Sequence, residues 1–139
     1  MLSLDFDQAR FERNSVRADY DLEIGVTATL SLRVGEKVIY QEPMFPIVEL
    51  RVALDRWARQ GPDTSDFEFV SMESDEAGLV WLRRQPSGSW RAGSIHQDTP
   101  ALEEFDWGQI ATAIDRYTAD VDQWVEATLD VRVSDVVDL

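Results

Sequence analysis

The sequence is poor in the residues that supply thiol, imidazole and lysine chemistry. Its 139 residues include no cysteine, and His96 and Lys37 are the only histidine and lysine. Without cysteine there is no disulfide framework and no zinc or iron–sulfur site with thiolate ligands. No apolar stretch approaches the roughly 20 residues of a membrane-spanning helix. We therefore expect a protein without disulfides, a metal site or a membrane anchor.

The first residues of the chain also lack a targeting pattern. Residues 1–7 contain no basic region followed by an apolar core, which a secretory signal requires. Because cysteine is absent as well, a cytoplasmic location is the simplest expectation.

Positive charge is scarce relative to negative charge. The chain has 13 Lys and Arg residues against 27 Asp and Glu residues, which gives a formal net charge of −14. Such a surface repels phosphate backbones, whereas nucleic-acid binding normally uses clustered Lys and Arg to displace counterions. Nucleic acid is therefore not an expected partner. The acidity favours either a basic protein partner or simply solubility.

The residues that are present suffice for one folded domain. Hydrophobic residues make up 44% of the chain and charged residues 29%, which is typical neither of a disordered protein nor of a membrane protein. A chain of this length can bury a real hydrophobic core. No linker, charge block or low-complexity segment divides it, so residues 1–139 are expected to form a single domain.

The first half of the chain predicts a hairpin followed by a helix. Apolar residues occupy every second position from Tyr20 to Val34, which is typical of a long strand with one buried face. Gly35-Glu36 then predicts a turn, and residues 37–41 the returning strand. Apolar residues at helical spacing predict a helix over residues 47–59, which ends at Gly61-Pro62.

The second half of the chain predicts three more strands and a long helix. Residues 67–72, 78–83 and 90–95 are the strand segments, separated by turn-forming residues. An apolar stripe predicts a helix over residues 106–129, with Asp106 as its N-cap.

This order of elements predicts an α+β fold. The simplest packing is a single antiparallel sheet of about five or six strands with two helices packed on one face. Residues 130–139 fit either a short strand or a docked extension, and their pattern does not separate the two.

One segment, at the junction of the hairpin and the first helix, carries a resemblance. It runs from Tyr40-Gln41-Glu42-Pro43 to Glu49-Leu50 and resembles part of an uncharacterised small-domain family of GC-rich bacteria. That family has no assigned activity, so the resemblance implies no catalytic residues. In size, acidity and order of elements the chain is also similar in type to immunity proteins that neutralise bacterial toxins.

No catalytic constellation is predicted. The chain contains no Gly-x-Ser-x-Gly elbow, no glycine-rich nucleotide loop and no calcium-loop spacing. His96 is interpreted as a surface-loop histidine. We therefore expect a non-enzymatic protein without a cofactor.

The leading candidate site is a strip of carboxylates on the last predicted helix. Asp115, Asp122 and Glu126 project within about 40° of one another at 100° per residue, away from the apolar stripe. Asp122 and Glu126 are four residues apart, so like charges face each other at a small cost. The hypothesis is that this strip meets a basic protein, as in an immunity-type inhibitor; a solvated helix face is the alternative.

Two further hypotheses remain open. In the first, the chain is a small-molecule-binding or enzymatic domain with a pocket between sheet and helices, and Trp81, Trp90 and His96 lie near the mouth of that pocket. Trp81 and Trp90 would then lie on adjacent strands and pair across the sheet. In the second, the chain is a subunit of an oligomer that buries its wet strand face.

Overall fold

A computed structural model describes the whole chain, residues 1–139, and divides it into six strands and four helices. No helix combines the length and the apolar character that crossing a bilayer requires. In chain order the elements are β1 Leu2–Phe11, α1 Asp19–Gly25, β2 Val26–Val34, β3 Lys37–Phe45, α2 Ile47–Ala58, β4 Phe67–Glu68, β5 Trp81–Arg84, β6 Trp90–Gly93, α3 Trp107–Leu129 and α4 Val133–Val136.

The strands form two separate antiparallel sheets. One has the order β1-β2-β3 and the other β4-β5-β6. The predicted single sheet of five or six strands with two helices is therefore wrong. The edge strand β3 contains Pro43, which has no N–H to donate, and a register shift next to Met44 at φ +56°. This interrupted edge does not continue into the second sheet.

The predicted strand from Tyr20 to Val34 is only half right. Residues 26–34 form β2, but the preceding residues form α1. The Asp21 carboxylate accepts hydrogen bonds from the backbone N–H groups of Arg17 (2.9 Å) and Ala18 (3.0 Å), which fixes the start of that helix. Both bonds lower the pKa of Asp21, and the bond from Arg17 has the larger effect. Tyr20 is exposed while Leu22 is buried, so the apolar alternation there does not mark one buried face.

The strand β1 was not predicted. It pairs with β2 so that Leu4 lies opposite Leu32 and Leu2 opposite Val34. Leu2, Leu4 and Leu32 are all buried, so the pairing covers one face of β2.

The hairpin and the two long helices are confirmed. Gly35, at φ +64°, forms the turn between β2 and β3, where a left-handed conformation favours glycine. The helix α2 ends at Ala58. At the start of α3 the Asp106 side chain accepts from the Gln109 N–H (2.8 Å), and the Gln109 side chain accepts from the Asp106 N–H (2.9 Å).

The last ten residues form a docked extension. They contain α4, and Val133 and Val137 on either end of it are buried in the core. The alternative of a short strand is therefore excluded for this segment.

The core joins both sheets through α2. Trp57 of α2 packs against Phe67 and Trp90 of the second sheet and Trp107 of α3, with ring centroids 5.3–5.6 Å apart. On the other side, the buried Tyr117 hydroxyl of α3 donates to the Ile47 carbonyl (2.7 Å). Burial raises the pKa of Tyr117 well above its ordinary value, so the hydroxyl keeps its proton for this bond.

A charged pair also joins α2 to α3. Arg51 is buried, and its guanidinium donates to both carboxylate oxygens of Asp122, at 2.9 and 2.8 Å. The two parallel N–H···O bonds form a bidentate pair, which is the favoured geometry between Arg and a carboxylate. Because Arg51 cannot lose its proton, its burial depends on this partner.

We expect Asp122→Ala to lower the free energy of unfolding by about 1–3 kcal/mol, because it leaves a buried guanidinium without its main partner. Urea denaturation followed by circular dichroism measures the change. Asp115→Ala is the matched control, since Asp115 lies exposed on the same helix, and we expect a change within about 0.5 kcal/mol. Equal effects of the two substitutions would show that the Arg51 pair contributes nothing specific.

Candidate functional site

The carboxylate strip of the last helix does not present three unpaired charges. Asp122 is bound to Arg51, and the Glu126 carboxylate lies 3.8 Å from the Arg132 guanidinium. Asp115 is exposed and forms no ion pair. The chain therefore already compensates two of the three predicted partner-binding residues.

The three residues of the predicted pocket are not brought together. Trp81 lies opposite Gly93 and Trp90 opposite Arg84, so the two indoles lie on opposite faces of the second sheet. Trp90 is only 1% exposed and belongs to the core cluster with Trp57. Trp81 is covered by the Arg83 guanidinium, which lies 4.1 Å from its ring centroid. They neither pair across the sheet nor form an exposed aromatic patch.

His96 does line a cleft, but with different neighbours. The cleft has a volume of about 240 Å³ and lies between the end of β3, the loop 71–79 and the segment that follows β6. Its polar lining includes Tyr40, Glu42, Ser71, Glu73, Ser74, Glu76 and His96. Its apolar lining includes Pro43, Met44, Phe45, Pro46 and Leu79.

The bulge in β3 forms one wall of this cleft. Glu42 pairs with Leu30 and Phe45 with Ala28, so the residues between them are displaced from the ladder. Met44 has a left-handed backbone and is largely exposed, which is uncommon for a residue with a Cβ. The bulge turns this part of the chain away from the sheet and toward the loop 71–79.

Buried Glu49 of α2 fixes the opposite wall. Its carboxylate accepts from the Ser71 hydroxyl (2.9 Å) and from the backbone N–H of Met72. Desolvation raises the pKa of Glu49, the two hydrogen bonds lower it, and the charge of Glu73 raises it further. The net shift is upward. Glu49 thus holds the loop that carries Glu73 and Glu76.

The segment after β6 places His96 against the same loop. The Ile95 N–H donates to the Gly78 carbonyl (3.0 Å), and the His96 Nε2 lies 2.9 Å from the Glu76 Oε2. The Ser94 hydroxyl accepts from the His96 N–H (3.1 Å). Gly93 allows this segment to lie close to the sheet, because a Cβ there would clash with the Gln97 amide and the Trp81 ring.

Tyr40 is the one cleft residue with an unmet hydrogen-bonding requirement. The side chain is 5% exposed, and no protein atom meets hydrogen-bond geometry with its buried hydroxyl. Ser94 lies close enough to lower the pKa of Tyr40, but outside that geometry. Burial first, and then the charge of Glu42, raise the pKa of Tyr40 to about 12. The hydroxyl is therefore neutral at physiological pH and can both donate and accept.

The polar lining of the cleft is mostly acidic. Three exposed glutamates, Glu42, Glu73 and Glu76, line it together with His96, and of these only Glu76 contacts the imidazole. No group of three or more Asp, Glu or His side chains is placed to hold a metal ion.

A larger opening elsewhere has less claim to function. It measures about 430 Å³ and lies between Met1 and the first turns of α3. Asp106 and Gln109 line it, but each is already engaged in capping the helix. No buried unpaired group faces it.

Most residues of the cleft were missed at the sequence level. The sequence predicts His96 as a surface-loop residue or, in the alternative hypothesis, beside Trp81 and Trp90, and it does not single out Glu73 or Glu76 as site residues. Pro43 and Pro46, three residues apart inside the segment that carried the family resemblance, were the one available signal of an irregular strand end.

We expect Glu49→Gln to gain stability relative to the natural chain as the pH rises through and above 4.5, the ordinary pKa of Glu. The pKa of Glu49 is higher in the folded protein than in the unfolded chain, so folding favours the protonated carboxyl. The resulting stability is fully present below pH 4.5, and it is lost as the pH rises through the pKa of the folded state. Urea denaturation at a series of pH values tests this, with Glu36→Gln in the exposed hairpin turn as the control for net charge. A stability difference that stays constant with pH would contradict it.

Comparison with known proteins identifies the family but no activity. No curated protein and no solved structure matches the chain, so the resemblance to immunity proteins stays an expectation. One family model matches residues 2–127, which covers the cleft, both sheets and most of α3. The chain therefore belongs to the family described as a domain of unknown function, DUF7878.

Proposed function

We propose that this chain is a non-enzymatic domain that binds a basic protein partner through an acidic surface centred on the cleft. The observation that carries the proposal is the set of three cleft glutamates that no Lys or Arg of the chain compensates. Glu42 and Glu73 form no ion pair, and Glu76 contacts only His96. An immunity-type inhibitor, as the sequence suggested, is the specific form of this proposal.

The distribution of charge supports the cleft over the strip on α3. The formal net charge of −14 attracts basic partners from a distance and raises their association rate. Local recognition requires carboxylates that are free to accept hydrogen bonds. On α3, Asp122 and Glu126 already contact arginines of the chain, whereas the cleft glutamates do not.

The small-molecule hypothesis is the second candidate, and the same cleft supports it. Its volume of about 240 Å³ is slightly below the range of about 300–1,000 Å³ that is typical of ligand pockets. It has room for one side chain or one small cation.

The oligomer hypothesis has less support. On the wet face of the first sheet, Arg33 lies 3.2 Å from Asp5, and the Gln41 side chain donates to the Ser31 hydroxyl (3.0 Å). These groups are satisfied within the chain, whereas the Thr27 hydroxyl on the same face is buried without a hydrogen-bond partner, so polar satisfaction alone does not decide this hypothesis.

We expect a triple variant of the cleft, Glu42→Gln/Glu73→Gln/Glu76→Gln, to lose a basic partner that the natural chain retains. Affinity capture from the source organism's lysate, with salt-step elution and mass spectrometry, makes the comparison. Asp115→Asn/Asp120→Asn/Glu126→Gln on α3 is the matched control, because it removes the same number of negative charges from exposed positions.

Circular dichroism confirms that all three baits are folded. Retention by the α3 variant together with loss by the cleft variant supports the proposal. Equal loss by both variants would show that the partner responds only to the total negative charge of the protein and not to the cleft. Loss by the α3 variant alone would place the partner on the strip instead.

A further inference from the structure

We propose that the C-terminal ends of α2 and α3 form a docking groove for a short helical segment. Residues 131–139, named the strap from here on, fill this groove within one chain, and the strap of a second copy is the occupant that can replace them. The inference concerns a surface other than the cleft and does not rest on the proposed function.

Two contacts show that α2 and α3 end on the same side of the domain. The Ile47 carbonyl, at the start of α2, accepts from the Tyr117 hydroxyl of α3. About one turn later on each helix, Arg51 pairs with Asp122. Because the contacts advance together along both helices, the helices run parallel. They therefore end side by side, where the strap begins.

The strap is seated by apolar side chains. Val133 and Val137 are four residues apart, so they lie on one side of α4, and they are only 2% and 1% exposed. The helix α4 contacts α3, and Val131, Val136 and Leu139 pack against the same core at partial exposure. Two β-branched side chains one turn apart are thus the apolar part of what the groove recognises.

Two arginines at the end of α2 supply the polar part. Arg56 Nη2 donates to the Asp138 carbonyl (2.7 Å), and Arg59 Nη1 donates to the Leu139 carbonyl. The acceptors are main-chain carbonyls, which a second copy of the same segment presents equally. The strap carries two aspartates against one arginine, so its charge also suits the two guanidinium groups.

The strap can leave the groove without disrupting the rest of the fold. Its two backbone hydrogen bonds, donated by Asp135 and Val137, are both accepted within the strap. No backbone hydrogen bond joins it to the rest of the chain, and it belongs to neither sheet. The ion pair of Arg132 with Glu126 is exposed on both sides and contributes little. Segments attached in this way open locally at a lower cost than global unfolding.

One residue directs the strap into the groove. Asp130 ends α3 in the left-handed region, at φ +56° and ψ +34°, which is uncommon for a residue with a Cβ. A change of Asp130 to the helical region points the strap away from the groove and leaves α3 intact. The hinge of the strap is therefore a single residue.

The groove and the strap differ in their relation to the family. The family match ends at residue 127, so it includes α2 and most of α3 but neither the hinge nor the strap. The groove lies almost wholly within the family domain, whereas the segment that fills it lies outside. Because every copy of this chain carries both, each copy supplies the segment that the groove of another accepts.

The test uses the full-length variant Val133→Asp/Val137→Asp, whose own strap cannot bury two carboxylates in the groove. A fluorescent synthetic peptide with the sequence of residues 129–139 stands for the strap of a second copy, and fluorescence anisotropy measures its binding. We expect the variant to bind this peptide at least about tenfold more tightly than the natural chain, whose groove is already filled by a tethered strap.

A peptide with the same two valine-to-aspartate substitutions is the matched control and is expected not to bind. The circular dichroism spectrum of the variant should show a folded domain, because the strap belongs to neither sheet. An unfolded variant would overturn the inference, since the strap would then be an integral part of the fold. So would the absence of saturable binding to the variant, or equal binding of the two peptides.

Hydrogen exchange of the natural chain, followed by NMR, tests the opening of the strap. We expect the Asp135 and Val137 amides to exchange at least about tenfold faster than the Val121 amide of α3, because they exchange through local opening. Arg56→Ala/Arg59→Ala should speed their exchange about three- to tenfold further and leave Val121 unchanged. Equal protection of strap and α3 amides would show that the strap opens only on global unfolding and would contradict the inference.

Discussion

Helix α2 is buried over six consecutive residues, from Ile47 to Val52, and two of these residues are charged. A charge taken out of water must be paired or hydrogen-bonded, so Glu49 and Arg51 each require a fixed partner. Glu49 finds Ser71 and Met72 in the loop of the second half, and Arg51 finds Asp122 on α3. The order of charged residues on one helix thus sets where the loop and the last helix lie.

The pairing of Glu49 and Arg51 also affects which surface carboxylates have a cationic partner. Arg51 is used at the junction with α3, and there it neutralises one carboxylate of the strip. At the cleft the buried group of α2 is itself acidic, so it holds the loop without neutralising Glu73 or Glu76. Acidic residues occur along the whole chain. Glu73 and Glu76 lie on the loop that Glu49 holds, and because Glu49 is an acid it does not neutralise them.

The sequence predicted what depends on neighbouring residues and failed where distant residues decide. The 3.6-residue period and the Asp106–Gln109 cap locate α3, and Gly35 locates the hairpin turn. Strand pairing is non-local, so neither β1 nor the division into two sheets was visible. The start of α1 is a local exception: it depends on bonds from nearby backbone N–H groups to Asp21, which the alternating apolar pattern concealed. In the site, Asp122 and its partner Arg51 are 71 residues apart.

Acidity alone does not select a partner, because any cation is attracted to a charge of −14. Long-range attraction sets the rate of encounter and weakens as salt rises. A hydrogen bond to a buried neutral group is short-ranged and little screened by salt, so it acts on the geometry and lifetime of a complex rather than on its formation. Selection of a partner would therefore have to come from short-range contacts, which a net charge of −14 does not supply by itself.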